Sequence, residues 1–228
     1  MSDKKIVQNT EGGEAVIAKA KDFWTRNNKP IIIACVVVIL LGGGWLAYKN
    51  LVKAPKETKA AEAMFKAEEY YRVDSLKLAL NGDGQYPGFL SVISKYGGTE
   101  AANLAHYYAG VCYIKMDDNA NAVKQLKKFS TPGKQVQQRA YKLLGDAYAD
   151  MGQGKDALEY YKKAAHHFEE DKASSSEALF AAAYLADKVL KDSKQAIELF
   201  KELKQKYPNE RGYEADIYLA GLGVYNAE

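Results

Sequence analysis

Apolar and polar positions follow two different rules along this chain. Between Lys29 and Lys49 no charge interrupts the run PIIIACVVVILLGGGWLAY, positions 30 to 48. As a helix rising 1.5 Å per residue, this run covers about 28 Å, close to the hydrocarbon thickness of a bilayer. Trp24 precedes the run, and Trp45 and Tyr48 sit at its far end, where aromatic rings favour the membrane interfaces. The pattern predicts a transmembrane helix over 30–48, a tail over 1–29 and a linker over 49–57. Inside the tail, Val16, Ala20, Phe23 and Trp24 share one face of a helix spanning Glu14 to Thr25. A membrane-surface helix and a partly ordered tail both fit that stretch.

The run reads as an uncleaved anchor. A secretory signal starts with a short basic segment, whereas a long mixed-charge segment precedes the apolar core here. Gly42-Gly43-Gly44 would suit a peptidase, and Ile32-Ile33-Ala34-Cys35 has the look of a lipobox. Lipoprotein signals place the apolar stretch before the cysteine, however, and here most of it follows. A buried helix of a soluble protein rarely avoids charge for this long. Flanking charge does not orient the span. Lys19, Lys21, Arg26 and Lys29 lie on one side, and Lys49, Lys53, Lys56, Lys59 and Lys66 on the other.

After Pro55 the apolar positions recur with helical period. Thr58 to Leu80 predicts a long helix, NGDGQYPG (Asn81 to Gly88) breaks it, and Phe89 to Tyr96 predicts a short one. The clearest unit is AYKLLGDAYADMGQGKDALEYYKKA, Ala140 to Ala164. Its Leu144-Gly145, Tyr148, Ala157, Tyr161 and Ala164 resemble the tetratricopeptide pattern. Gly145 and Ala157 are small where two helices cross closely, Tyr148 and Tyr161 fill the space around the crossing, and Met151 to Gly154 supplies the turn. Gly110, Tyr113, Ala122 and Phe129 repeat the scheme: Gly110 to Gly145 and Ala122 to Ala157 are both 35 positions. In a third unit Ala196, Phe200 and Pro208 fit, but Tyr184 stands where glycine is expected and Asp187 where tyrosine is. Ala157 to Ala196 is 39 positions, which predicts an insertion in EEDKASSSE. Tyr213 to Tyr225 predicts a closing helix. The expected fold is all-α, a right-handed tetratricopeptide solenoid over 58–228 behind an N-terminal transmembrane helix.

Composition narrows the function classes. A formal net charge of +3 is too mild for a nucleic-acid binder. Cys35 and Cys112 form no C-x-x-C pair, which leaves redox compartment open and structural zinc without ligands. NGDG lacks the phosphate-loop pattern and follows no strand. His166, His167, Glu169 and Glu170 read as a solvated helix end rather than a metal site, and His106 as packed between helices. Cys112 reads as a small buried hydrophobe. No catalytic constellation, cofactor site or metal site is expected, so the chain reads as a non-enzyme.

A surface remains. Stacked helix pairs form a groove lined by the first helix of each unit. The groove positions are Leu104, Tyr107, Val111 and Ile114 in one unit, then Arg139, Lys142, Asp146 and Asp150 in the next. One half is apolar and aromatic and the other charged, which suits an extended polypeptide segment. Packing of some of these residues against the capping helices is the alternative.

Three further stretches carry a narrower resemblance: EAMFKAEEYYRVDSLKLALNGDG (Glu62 to Gly84), YPGFLSVISKYGGTEAANLAHYYAGVCYI (Tyr86 to Ile114) and LGDAYADMG (Leu144 to Gly152). On them the chain resembles single-span tetratricopeptide proteins related to the ancillary subunit of the bacterial Sec translocon, in their Bacteroidetes form. The resemblance implies an inner-membrane anchor with a cytoplasmic amino end and periplasmic repeats. It also implies protein partners: the Sec translocon, a periplasmic chaperone or exported polypeptides. A scaffold of another envelope complex is an alternative. So is a cytosol-facing import receptor or docking co-chaperone, although the Asn of a carboxylate clamp is missing from both units, whose corresponding places hold Tyr107 and Val111, then Lys142 and Asp146.

Overall fold

The computed structural model describes residues 10–225, with side chains from Val16 onward. The first nine residues of the expected tail lie outside the described residues. The chain divides after Pro55 into two compact units.

In the first unit, α1 runs from Thr10 to Tyr48 with Pro30 inside it, and a π-helical segment follows over Lys49–Lys53. Residues 10–29 of the expected tail and the expected span are therefore continuous in one helix. Its apolar side chains are exposed, including Ile33, Val38, Leu41 and Trp45, so nothing within the unit covers them. One helix among the described residues is long and apolar enough to cross a membrane.

The second unit is built of helices: α2 (Ala54–Arg72), α3 (Leu76–Asn81), α4 (Phe89–Lys95), α5 (Glu100–Lys115), α6 (Asn119–Leu126), α7 (Lys134–Asp150), α8 (Gly154–His167), α9 (Lys172–Lys188), α10 (Ser193–Lys206) and α11 (Pro208–Gly221). No strand occurs among the described residues; Gly82 and Pro87 make a single isolated bridge. The expected long helix from Thr58 to Leu80 is broken at 73–75. Asp74 adopts a left-handed conformation (φ 58°) and accepts an ion pair from Lys115 at 2.7 Å. Aspartate tolerates that backbone region better than most residues, so a polar pair of ordinary appearance ends the helix. The expected closing helix from Tyr213 is present in α11 but ends at Gly221 rather than Tyr225; non-helical backbone at Arg211 (φ −141°) separates it from a short first turn at Pro208, where proline suits the start of a helix.

Helices α5/α6, α7/α8 and α9/α10 form the three repeat pairs. Aspartates start three of these helices: Asp118, Asp171 and Asp192 accept from the backbone N–H of Asn121, Ser174 and Gln195, each worth about 1 kcal/mol. The first two pairs cross closely because of their glycines. A Cβ on Gly110 would lie 2.5 Å from Leu126 Cγ, and one on Gly145 would lie 2.5 Å from Tyr161 Cδ1. Two apolar cores result, one around Met64, Phe89 and Ala105, the other around Leu144, Tyr161 and Phe200; Tyr113 packs against both.

The third pair corrects the sequence register. Buried positions 137, 138, 140, 144, 145, 147 and 148 of α7 recur in α9 at 175, 176, 178, 182, 183, 185 and 186, a shift of 38 rather than 39. Ala183, not Tyr184, thus takes the place of Gly145, and Ala186, not Asp187, takes that of Tyr148. The missing residue is in the turn. After α7 the N–H of Gln153 reaches Tyr148 O, whereas after α9 the N–H of Asp192 reaches Ala186 O, one residue further. The inserted segment before α9 is held by Gln138, whose amide donates to Ala164 O and Ser175 Oγ, while Ser175 Oγ donates to Phe168 O.

Candidate functional site: the face of α5, α7 and α9

A cleft of about 530 Å³ opens between α7 and α9, lined among others by Arg139, Lys142 and Asp146 from α7, by Glu177 from α9 and by Asp171, which caps α9. Three of the eight expected groove residues are therefore brought together. Lys142 lies at the centre, 3.1 Å from Asp146 and 3.2 Å from Glu177. Burial works against its charge, but the two carboxylates outweigh burial and raise its pKa above the ordinary lysine value. Tyr161 reaches through from α8 and donates to Asp146 at 2.9 Å. Burial first, then the Asp146 charge, pushes this phenol well above the ordinary tyrosine range. Arg139 is exposed, and its charge acts on Tyr107 of the neighbouring helix. Gln138 is 2 % exposed, and its Oε1 has no protein partner.

The other expected positions are distributed differently. Tyr107 is half-buried, its ring 5.2 Å from Phe129 and 5.7 Å from Tyr108. Leu104 packs against the first core and Ile114 against the second, while Val111 is half-buried. Asp150 is exposed at the end of α7, outside the cleft lining. The position equivalent to Ile114 at the 35-residue spacing is Ala149.

Sequence reasoning missed the third strip of this face. At the shift of 38, Arg139, Lys142 and Asp146 correspond to Glu177, Phe180 and Tyr184. Phe180 and Tyr184 join Tyr218 of α11 in one aromatic group, with centroids 5.4 to 6.2 Å apart. The Arg211 guanidinium lies 4.5 Å over the Phe180 ring, a cation–π contact. The small pair Ala182-Ala183 was the signal that places the register. The face thus reads Tyr107, then a charged centre, then Phe180 and Tyr184.

Other candidates take structural roles. His106 Nδ1 lies 2.8 Å from Gln125 Oε1, joining α5 to α6. His166 Nε2 lies 2.8 Å from Glu202, and Lys206 bridges Glu202 and Glu169. No group of three or more metal-type ligands occurs among the described residues. Burial pushes the Cys112 thiol up to about 12, far from a reactive thiolate.

Comparison with known families decides the class. A family model described as a tetratricopeptide repeat-like domain matches residues 21–139, and a tetratricopeptide repeat model matches residues 177–210. The chain belongs to the tetratricopeptide repeat-like domain family. The second match falls on α9 and α10, the pair whose first helix departs from the pattern in sequence. A search of curated proteins finds no match. Tetratricopeptide repeats are protein–protein interaction modules, typically without catalytic residues, and this chain is such a module.

Proposed function

We propose that the chain is a single-pass inner-membrane protein, amino end in the cytoplasm and repeats in the periplasm, that holds exported polypeptides or a periplasmic chaperone beside the Sec translocon. The observation that carries the binding part is the face of α5, α7 and α9: a charged cleft between Tyr107 on one side and Phe180 and Tyr184 on the other. An extended polypeptide offers backbone polar groups to the cleft and side chains to the rings. The uncharged helix over 30–48 supports the anchor, and the resemblance of the repeats to Sec-associated proteins supports the orientation. Tethering raises the local concentration of clients, so weak binding is effective.

Protease added to spheroplasts tests the topology: degradation of the repeats is expected, and protection in spheroplasts that are lysed only afterwards overturns it. Photo-crosslinkers at Tyr107, Arg139 and Tyr184 test the role. Recovery of translocon subunits, exported polypeptides or a periplasmic chaperone is expected. Recovery of only other envelope proteins would instead favour a scaffold of a different complex.

A further inference from the structure

The cleft between α7 and α9 holds more acceptors than its own donors fill. Asp146, Asp171 and Glu177 set three carboxylates against the two cations Lys142 and Arg139. Asp150, exposed one turn beyond Asp146, adds a negative charge that acts on Tyr161. The donors are taken up within the protein. Lys142 is held by Asp146 and Glu177, and the Tyr161 hydroxyl donates to Asp146. Ser174 Oγ donates to Asp171, and the Gln138 amide nitrogen donates to Ala164 O and Ser175 Oγ. Arg139 and Gln135, both exposed, are the donors left at the rim. One acceptor inside stays unfilled: Gln138 Oε1, in a side chain that lines the cleft yet is 2 % exposed. A buried acceptor without a donor is costly. The backbone N–H groups of a segment lying across the helices do not reach so deep, whereas a long side chain with its donors at the tip does. The negative surplus calls for a cation as well. A guanidinium brings five N–H donors in one plane and no acceptor.

We infer that the cleft takes an arginine side chain of the bound polypeptide, with large apolar residues of the same segment on the rings to either side. This rests on the reading of the face as a peptide-binding groove, and on neither the anchor nor its orientation. Helix α7 packs against both α5 and α9. Packed helices lie about 8–10 Å apart, so Tyr107 and the Phe180–Tyr184 pair are separated by about 16–20 Å. An extended chain covers that distance in about five to six residues. The arginine therefore stands about three residues from an apolar residue on each side. Arg139 belongs to the Tyr107 side, where its charge acts on that phenol, while Asp171 and Glu177 form the α9 wall. An acidic side chain entering the cleft meets the same surplus of carboxylates as repulsion.

The test uses the full chain in detergent micelles and three fluorescein-labelled, end-capped peptides, read by fluorescence anisotropy at low salt. Each carries phenylalanine three positions before and three positions after a central residue, with glycine and serine as spacers. The centre is arginine, glutamine or glutamate. The arginine peptide is expected to bind at least tenfold more tightly than the other two, with an advantage that shrinks in high salt. The Glu177 side chain is 57 % exposed, so changing it spares the fold, and Glu177→Lys is expected to reverse the order and favour the glutamate peptide. Loss of structure cannot produce such a reversal. Tyr184→Ala is expected to weaken all binding by a similar factor. Equal binding of the three peptides, weakened by Tyr184→Ala, overturns the arginine assignment and leaves the groove reading standing. Tighter binding of the glutamate peptide overturns it too, as does an arginine preference that Glu177→Lys leaves untouched. Binding of none of the three overturns this inference together with the groove reading.

Discussion

Gly145→Ala places a methyl group where α7 and α8 meet. The new Cβ would lie 2.5 Å from Tyr161 Cδ1 and 2.6 Å from Cε1, well inside contact distance. The Tyr161 ring cannot swing away cheaply: it is 7 % exposed and its hydroxyl holds Asp146. Overpacking of this kind costs about 1–3 kcal/mol. Against it, alanine is favoured over glycine in a helix interior by about 1 kcal/mol. While the ring stays, the clash outweighs the helix gain, giving a net loss of up to about 2 kcal/mol and a melting point lower by up to about 6 °C. Circular dichroism of the full chain in mild detergent reads this best, because both tryptophans, Trp24 and Trp45, lie in α1 and report nothing on the repeats. The decisive arm is the background. With Tyr161→Leu the methyl gains room, and Gly145→Ala is expected to become neutral or stabilising by up to about 1 kcal/mol. A single Gly145→Ala that melts at or above the wild type refutes the close crossing as the reason for glycine here.

Lys142→Met leaves Asp146 and Glu177 without their shared cation; because all three are partly exposed, the cost is about 1 kcal/mol, and the melting difference should shrink in high salt. Cys112 should resist iodoacetamide in the native protein up to about pH 9 and react only on unfolding, measured by mass shift, since burial holds its pKa near 12. Alkaline stability should fall as the pH rises beyond about 10. The Tyr161 pKa is raised by folding, so the native state keeps a proton that the unfolded state loses, and stability present below pH 10 is lost above it. Tyr161→Phe should make that decline shallower; an unchanged slope in pH-dependent urea unfolding would place the titration elsewhere.

The parts of this fold legible in sequence are those where one residue type is sterically forced. Gly110 and Gly145 sit at helix crossings that reject a Cβ, so their spacing reveals two repeat pairs directly. The breaks at Asp74 and Lys191 are different. Both are non-glycine residues with positive φ, 58° and 56°; aspartate tolerates that region better than lysine, but neither residue announces a turn as a glycine would. The first divides the expected Thr58–Leu80 helix. The second lengthens the turn between α9 and α10 and moves the register of α9 by one. Half of the proposed binding face was legible for the same reason: Arg139, Lys142 and Asp146 follow from the Gly145 register, while Phe180 and Tyr184 require the corrected one. Leu104 and Ile114 face the cores because the neighbouring helices supply apolar surface there, which no local pattern encodes.

The corrected register is itself open to a mutational test, because the two readings of α9 assign opposite characters to adjacent residues. With Tyr184 at the glycine position, Tyr184→Gly would relieve crowding and stabilise. With Ala183 at that position, Tyr184 is a surface residue, 42 % exposed, whose ring contacts Phe180 and Tyr218. Tyr184→Gly then loses about 1 kcal/mol of helix propensity and about 0.5–1.5 kcal/mol of aromatic contact, a loss of about 2 kcal/mol in all. Ala183 is fully buried, so Ala183→Leu should cost about 1–3 kcal/mol or more by overpacking, while Tyr184→Leu should cost under about 1.5 kcal/mol. The reverse order of the two leucine variants in thermal denaturation would restore Tyr184 to the crossing and remove it from the proposed binding face. If the expected order holds, the longer α9–α10 turn is what allows an aromatic residue to stand beside the Lys142 cleft without opening the helix pair beneath it.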